Sequence, residues 1–214
     1  MTDTTIVIDN LQKNQQFTVG DRENKTFIIF LADKKDQIGK VKIVIRGKQS
    51  HVQILGIIIG SAEQKIELFT LQDHQDEESI SDLLIKSVLF DRARFNYQGL
   101  IQIEKGAQKS NAYQKNQNLL LSPYAWADSR PYLEILANDV RCTHGATIGK
   151  IDEEQLYYLK TRGLDESCAT KLIINGFLRE VIERIPDQKI QNMLEDKIEE
   201  QINRLVNLPR SSYS

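Results

Sequence analysis

The sequence predicts a mainly β chain, with a β-solenoid body followed by an α-helical module. Short β-branched runs separated by polar turns fill the chain up to Ile151, and no Asn-Gly or Asp-Gly hairpin pair occurs in that stretch. Beyond Ile151 the apolar period changes to that of a helix. The expected domains are therefore residues 1–151 for the β body, 152–206 for the helices and 207–214 for a frayed, flexible tail.

The strand candidates are Ile6-Val7-Ile8, Phe17-Thr18-Val19, Thr26 to Phe30, Val41 to Ile45, Val52 to Ile59, Ile66 to Leu71, Leu83 to Phe90, Phe95 to Ile103, Leu119 to Leu121, Leu133 to Leu136 and Val140 onward. Polar turns such as Asp33-Lys34-Lys35-Asp36 and Gly106-Ala107 punctuate them. Alternation is clear where Val41, Ile43 and Ile45 share one face, and where Phe95, Tyr97, Ile101 and Ile103 oppose Arg94, Asn96, Gln98 and Gln102. Many short strands fit a sandwich as well as a solenoid. The surplus of Ile, Val and Leu suits stacked rungs with an interior column, although no fixed-length repeat marks the rungs.

Three helices follow. Asp152 reads as an N-cap with Gln155 as its capping-box partner, and Gly163 as the C′ residue that ends the first helix. Asp165 starts the second, whose stripe is Ala169, Leu172, Ile173, Phe177 and Val181, and Pro186 stops it. Asp187 opens the third, with Ile190, Leu194, Ile198, Ile202 and Leu205 on one stripe and Glu195, Asp196, Glu199 and Glu200 facing away.

The composition is that of a soluble globular protein: 214 residues, 40% hydrophobic and 27% charged. Disorder and collagen-like structure are excluded. A net charge of -2 argues against a nucleic-acid binder, which needs a basic stripe to displace counterions. Two cysteines, Cys142 and Cys168, are too few for a disulfide framework and point to a reducing compartment. The N-terminus has no basic n-region, and the longest apolar stretch, Ile54 to Ile59, is far short of the roughly 20 residues that span a bilayer. A cytoplasmic location without membrane contact is the reading. Residues 1–151 carry 19 basic and 18 acidic side chains, whereas 152–206 carry 8 and 12. An acidic helical module on a neutral body is either a docking surface or a self-packed bundle with solvated charges.

Most enzyme signatures are absent. Gly145-Ala146-Thr147-Ile148-Gly149-Lys150 is one residue short of a phosphate loop and is followed by Ile151 where magnesium binding needs Ser or Thr. Of the three histidines, His74 falls in a polar stretch read as an exposed loop and His51 opens a strand at the surface. Asp91, Asp128, Glu134 and Asp139 offer carboxylates but no distinctive pairing. The segment Val140-Arg141-Cys142-Thr143-His144-Gly145 is more specific, because in an extended strand Cys142 and His144 project to one face. Thiolate and imidazole suit iron or zinc, yet a closed site needs about four ligands. The alternative is that Cys142 is a small buried hydrophobe and His144 a hydrogen-bonded core or interface residue.

Several segments together resemble the core of the SufB/SufD family, on the SufD side. They are Tyr97-Gln98-Gly99-Leu100-Ile101, Gly106-Ala107-Gln108-Lys109, Ala112-Tyr113-Gln114, Asn118-Leu119-Leu120-Leu121-Ser122, Pro131-Tyr132-Leu133-Glu134-Ile135 and Asp139 through Gly149. The helical continuation Asp152 to Leu164 is similar to that family's first C-terminal helix, and the resemblance covers residues 50 to 205. It implies a right-handed parallel β-helix followed by a C-terminal helical domain. It also implies a non-enzymatic scaffold subunit of SUF iron-sulfur cluster assembly, whose helices dock a SufC-type ABC ATPase and whose β-helix pairs with a SufB/SufD-type subunit as a homo- or heterodimer. By resemblance His144, with Cys142 second, would be a ligand of a transient iron-sulfur cluster shared with the partner. Asp165, Lys171, Ile174, Asn175, Phe177 and Leu178 would face the ATPase. Family members are usually longer, with a region preceding the β-helix, so the chain reads as a compact homologue or a natural fragment. The alternatives are a β-helix polysaccharide lyase or hydrolase, and a purely structural homodimeric β-helix protein.

Overall fold

A computed structural model gives the structure of the chain and describes residues 3–33 and 35–207. Lys34 of the expected 33–36 turn and the tail from residue 208 lie outside the described residues. Asn207, assigned to that tail from sequence, instead ends the last helix. The chain divides into two compact units, residues 1–149 and residues 150 onward.

The first unit holds eleven strands: β1 (Asp3–Ile8), β2 (Gln15–Val19), β3 (Asn24–Leu31), β4 (Gln37–Ile45), β5 (His51–Gly60), β6 (Lys65–His74), β7 (Ile80–Leu89), β8 (Arg94–Ile103), β9 (Asn111–Leu120), β10 (Trp126–Ile135) and β11 (Arg141–Lys150). Odd strands form one sheet in the order β1-β3-β5-β7-β9-β11, and even strands form the other in the order β10-β8-β6-β4-β2. Neighbouring strands run parallel. Parallel neighbours alternating between two sheets are the expected parallel β-helix, in which each turn contributes one strand to each sheet.

The hidden repeat is a drifting one. Asn24 lies beside His51, His51 beside Ile80 and Ile80 beside Asn111, so successive turns take 27, 29 and 31 residues. A search for a fixed period misses such drift. The corners repeat more strictly than the sequence does. Arg22, Gln49, Glu78 and Lys109 each stand two residues before an odd strand, and each has left-handed backbone at φ 54°, 56°, 58° and 59°. That conformation costs a non-glycine residue about 1 kcal/mol. Bonds between turns hold it: Arg22 N–H donates to the Lys48 carbonyl at 2.9 Å, the Gln49 amide donates to Glu78 at 2.9 Å, and Lys109 pairs with Glu78 at 3.6 Å.

Inward positions fill the interior with Phe27, Ile29, Val41, Ile43, Ile45, Ile54, Ile58, Leu83, Ile85 and Phe95, all buried. The central odd strands are buried on both faces, since the alternate residues Ile28, Leu55, Ile57, Leu84 and Val88 are also removed from solvent. β9 and β10 extend well beyond the runs Leu119–Leu121 and Leu133–Leu136 that marked them. The inward positions of β9 are Gln114, Asn116 and Asn118, which bond inside the helix, so an alternation of apolar residues was never available to announce the strand. Pro131 in β10 is tolerated because β10 is an edge strand.

The second unit holds α1 (Glu153–Thr161), α2 (Glu166–Ile182) and α3 (Gln188–Asn207). The Asp152 carboxylate caps α1 by accepting the N–H groups of Glu154 and Gln155. Gly163, at φ 93°, closes it: its N–H donates to the Lys160 carbonyl and that of Leu164 to the Leu159 carbonyl, the paired bonds of a Schellman motif. Asp165 and Asp187 cap α2 and α3 in the same way. α3 buries Leu194, Ile198 and Ile202 as its period predicts. The stripe on α2 is rotated from expectation: Ala169, Thr170, Ile174, Leu178, Val181 and Ile182 are buried, whereas Leu172 is 53% exposed. α2 is apolar over a wide arc, so periodicity alone does not choose which edge turns inward.

Candidate functional site

The candidate site lies on the last turn of the β-helix. β11 and β10 are the terminal strands of their sheets, so each has no strand on its outer side among the described residues. The N–H of Arg141 donates to the Ser110 carbonyl at 3.0 Å, repeating the Asn111 to Ser79 bond one turn earlier. That repeat places Cys142 beside Ala112 and His144 beside Gln114, with both side chains on the inward-facing register.

The two candidates differ in environment. Cys142 is half-buried and packs with Val140 against Ile101, Ile103, Ala107, Ala112 and Ala137. Burial pushes its thiol up to about 11, which disfavours the thiolate that would bind iron. His144 is exposed, and its imidazole is free to meet a ligand. The same last turn leaves apolar side chains open to solvent: Trp126, Tyr132, Leu133 and Ile135 on β10, Leu136 just after it and Ile148 on β11 are each between 36% and 60% exposed. An open strand edge carrying exposed aromatic and aliphatic side chains is a template for another chain. No group of three or more His, Cys, Asp and Glu side chains able to hold a metal occurs among the described residues. Cys142 and His144 are two donors of kinds that bind iron or zinc, short of the roughly four that a closed site needs.

The rejected phosphate-loop segment is strand throughout, because β11 runs to Lys150. His51 is exposed at the start of β5 as expected, but His74 is not in a loop. It ends β6 as a fully buried residue whose Nδ1 and Nε2 each meet a serine hydroxyl, Ser79 and Ser81, at 2.7 Å. The polar run after it misled the reading: Gln72 and His74 point inward to polar partners, so hydrophobicity carried no sign of their burial. Burial lowers the imidazole to about 4, against the smaller upward pull of Asp73. The carboxylates do not assemble. Asp91 accepts the Ala62 N–H at a corner, and Asp128 pairs with Arg130. Glu134 lies six residues further along β10, about 20 Å away at strand rise.

The helical set divides. Ile174 and Leu178 are 0% exposed, so burial removes them from the docking positions expected of them. Asp165 spends its carboxylate on the Cys168 N–H at 2.7 Å, a bond that holds its pKa below the ordinary value. Lys171 and Phe177 are half-buried and Asn175 is exposed. Leu172 on α2 and Tyr157 on α1, 53% and 71% exposed, were not among the expected docking positions, and α1 has no buried residue at all. No helix among the described residues is long and apolar enough to cross a membrane.

Comparison with known proteins agrees with this architecture. The family described as "SUF system FeS cluster assembly, SufBD core domain" matches residues 12–177. The iron-sulfur cluster assembly protein SufD of Escherichia coli is 33% identical over 150 residues, covering 70% of this chain and 36% of the relative. SufD of Bacillus subtilis is 30% identical over 202 residues, covering 91% of this chain and 46% of the relative. SufD of Plasmodium berghei is 30% identical over 161 residues, covering 74% and 12%. The chain thus spans less than half the length of each of these relatives. With the family core matching more than three quarters of its residues and SufD proteins among its relatives, the chain belongs to the SufB/SufD family.

Proposed function

We propose that the chain is a scaffold subunit of SUF iron-sulfur cluster assembly, acting without catalysis of its own. The observation that carries this reading is the family core match over residues 12–177, which includes a terminal strand that presents His144 in the open. In this reading the edge of β11 and the apolar side chains beside it pair with a SufB/SufD-type subunit. His144 offers its imidazole to the iron of a nascent cluster, which is cargo. Cys142 contributes only when the turn loosens enough to ionise its thiol, because burial holds the proton on. The partner supplies the remaining ligands.

The SufC-type ATPase docks on the helices. Exposed Asp165, Leu172, Asn175 and Tyr157 are open to it, and Phe177 and Lys171 are half-buried. The first test is anaerobic size-exclusion chromatography with light scattering on the chain mixed with the SufC-type and SufB-type proteins of its own source. A stable complex is expected. His144→Ala should then leave the complex intact while cutting cluster reconstitution at least tenfold, and unchanged reconstitution would refute the ligand role. Leu172→Glu, at a position 53% exposed, should fold normally and weaken ATPase binding at least tenfold. Wild-type affinity in that variant would move the docking site elsewhere.

A further inference from the structure

We propose that the last two turns of the β-helix, from the second half of β8 through β11, open and close as a unit along a polar seam in the interior.

Two clusters of buried apolar side chains stand apart inside the β-helix. The larger runs from Ile8 to Tyr97 with Ala125 and Ala127, with Leu120 of β9 packed against it, and the smaller holds Ile101, Ile103, Ala107, Ala112 and Ala137. What lies between them is polar. Thr70 meets the Tyr97 hydroxyl at 2.8 Å, Gln72 donates to Ser81 at 3.0 Å, and His74 is held between Ser79 and Ser81. Ser79 meets Ser110 at 3.0 Å, Gln114 donates to the Gly99 carbonyl at 3.3 Å, and Ser87 donates to Asn118, which donates to Asn116, both at 2.7 Å.

Register shows how thin this layer is. In the turn before, Ile43, Ile45 and Val52 stand beside Gln72, His74 and Ser81; in the turn after, the neighbours are Ile101, Ile103 and Ala112. The layer is also incompletely bonded, since the side-chain carbonyls of Gln72 and Gln114 have no partner although both residues are buried. Parting two wholly apolar layers exposes oily surface on both sides, whereas parting the turns here sets hydroxyls, amides and an imidazole against Ile101, Ile103 and Ala112 and sets Leu83 and Ile85 against Gln114 and Asn116, so less oily surface is uncovered and water satisfies the polar groups. In a stack where each turn contacts only its neighbours, opening takes place at the weakest interface. Cys142 and His144 sit on the outer side of the seam. On the scaffold reading above, from which the inference takes its functional meaning, the seam lets the cargo-bearing edge move without unravelling the rest.

Native-state hydrogen exchange in low urea on the full chain tests the seam independently of any partner. Amides of β9 should exchange through an opening at least 100-fold more populated than the one that releases β3 and β5, with a weaker urea dependence. β3 is the control, because it lies next to the opposite edge strand β1 just as β9 lies next to β11. Equal opening of β3 and β9 would mean ordinary end fraying and would overturn the proposal, as would exchange of β9 only by global unfolding. Gln114→Leu extends the apolar column from Leu83 across the seam and should slow β9 exchange at least tenfold. Unchanged exchange in that variant would remove the seam as the cause. Complex formation is measured separately, so failure of the scaffold reading and failure of the seam are distinct results.

Discussion

Gly47→Ala should destabilise the β-helix by about 3 kcal/mol, the upper part of the usual range for overpacking. Gly47 lies buried at the corner between β4 and β5, and a Cβ there would overlap the backbone carbonyl of Gly20 in the corner one turn earlier. Both partners are main chain, so no side chain can swing away. Relief requires the two corners to part, which breaks the Arg22 to Lys48 backbone bond at 2.9 Å and the Lys48 to Asp21 bond at 2.8 Å. Since whole domains are stable by only about 5–15 kcal/mol, much of the folded population is at stake. Urea unfolding followed by far-ultraviolet circular dichroism measures the loss. Gly176→Ala is the contrasting variant: this α2 residue has open space around it, and the change should stabilise by roughly 0.5–1 kcal/mol. A wild-type midpoint for Gly47→Ala would show that the corners are not in close contact.

The second large effect is on pH dependence. His74 is neutral in the folded protein, with its imidazole lowered to about 4 by burial, whereas in the unfolded chain it titrates at its ordinary 6.5. Between those values the unfolded state binds the extra proton, so the stabilising contribution is fully present above pH 6.5. It is lost as pH falls toward 4. The loss is about 2 kcal/mol at pH 5 and about 3 kcal/mol near pH 4. His74→Gln keeps an amide to bond Ser79 and Ser81 and cannot titrate. Unfolding free energies of the two proteins should therefore converge as pH drops from 7 to 5. A constant difference across that interval would show that His74 is already accessible to protons.

Much of the fold was legible because it follows from local rules. All eleven strand runs correspond to strands, and Asp152, Gly163, Asp165 and Asp187 sit where helix ends demand them. Legibility failed where the interior is polar. Hydrophobic patterning reports burial only when water-fearing atoms do the filling, and Gln72, His74, Gln114, Asn116 and Asn118 are buried through hydrogen bonds to groups on other strands. The same limit acted on the candidate site. Strand alternation placed Cys142 and His144 on one face, but it could not distinguish a thiol packed on Ala112 from an imidazole in the open.

What the chain's residues determined unaided was a β-rich body without hairpin turns, a change of period at Ile151 and a set of capped helices, all properties of neighbours within a few positions. Tertiary structure decided the rest. The pairing of Asn24 with His51 and of His51 with Ile80 depends on contacts 27 and 29 residues apart, whose spacing drifts. The choice of Ile174 and Leu178 over Leu172 as the inward edge of α2 also lies outside local pattern. So does the exposure of His144, which sits on β11, the terminal strand of its sheet among the described residues.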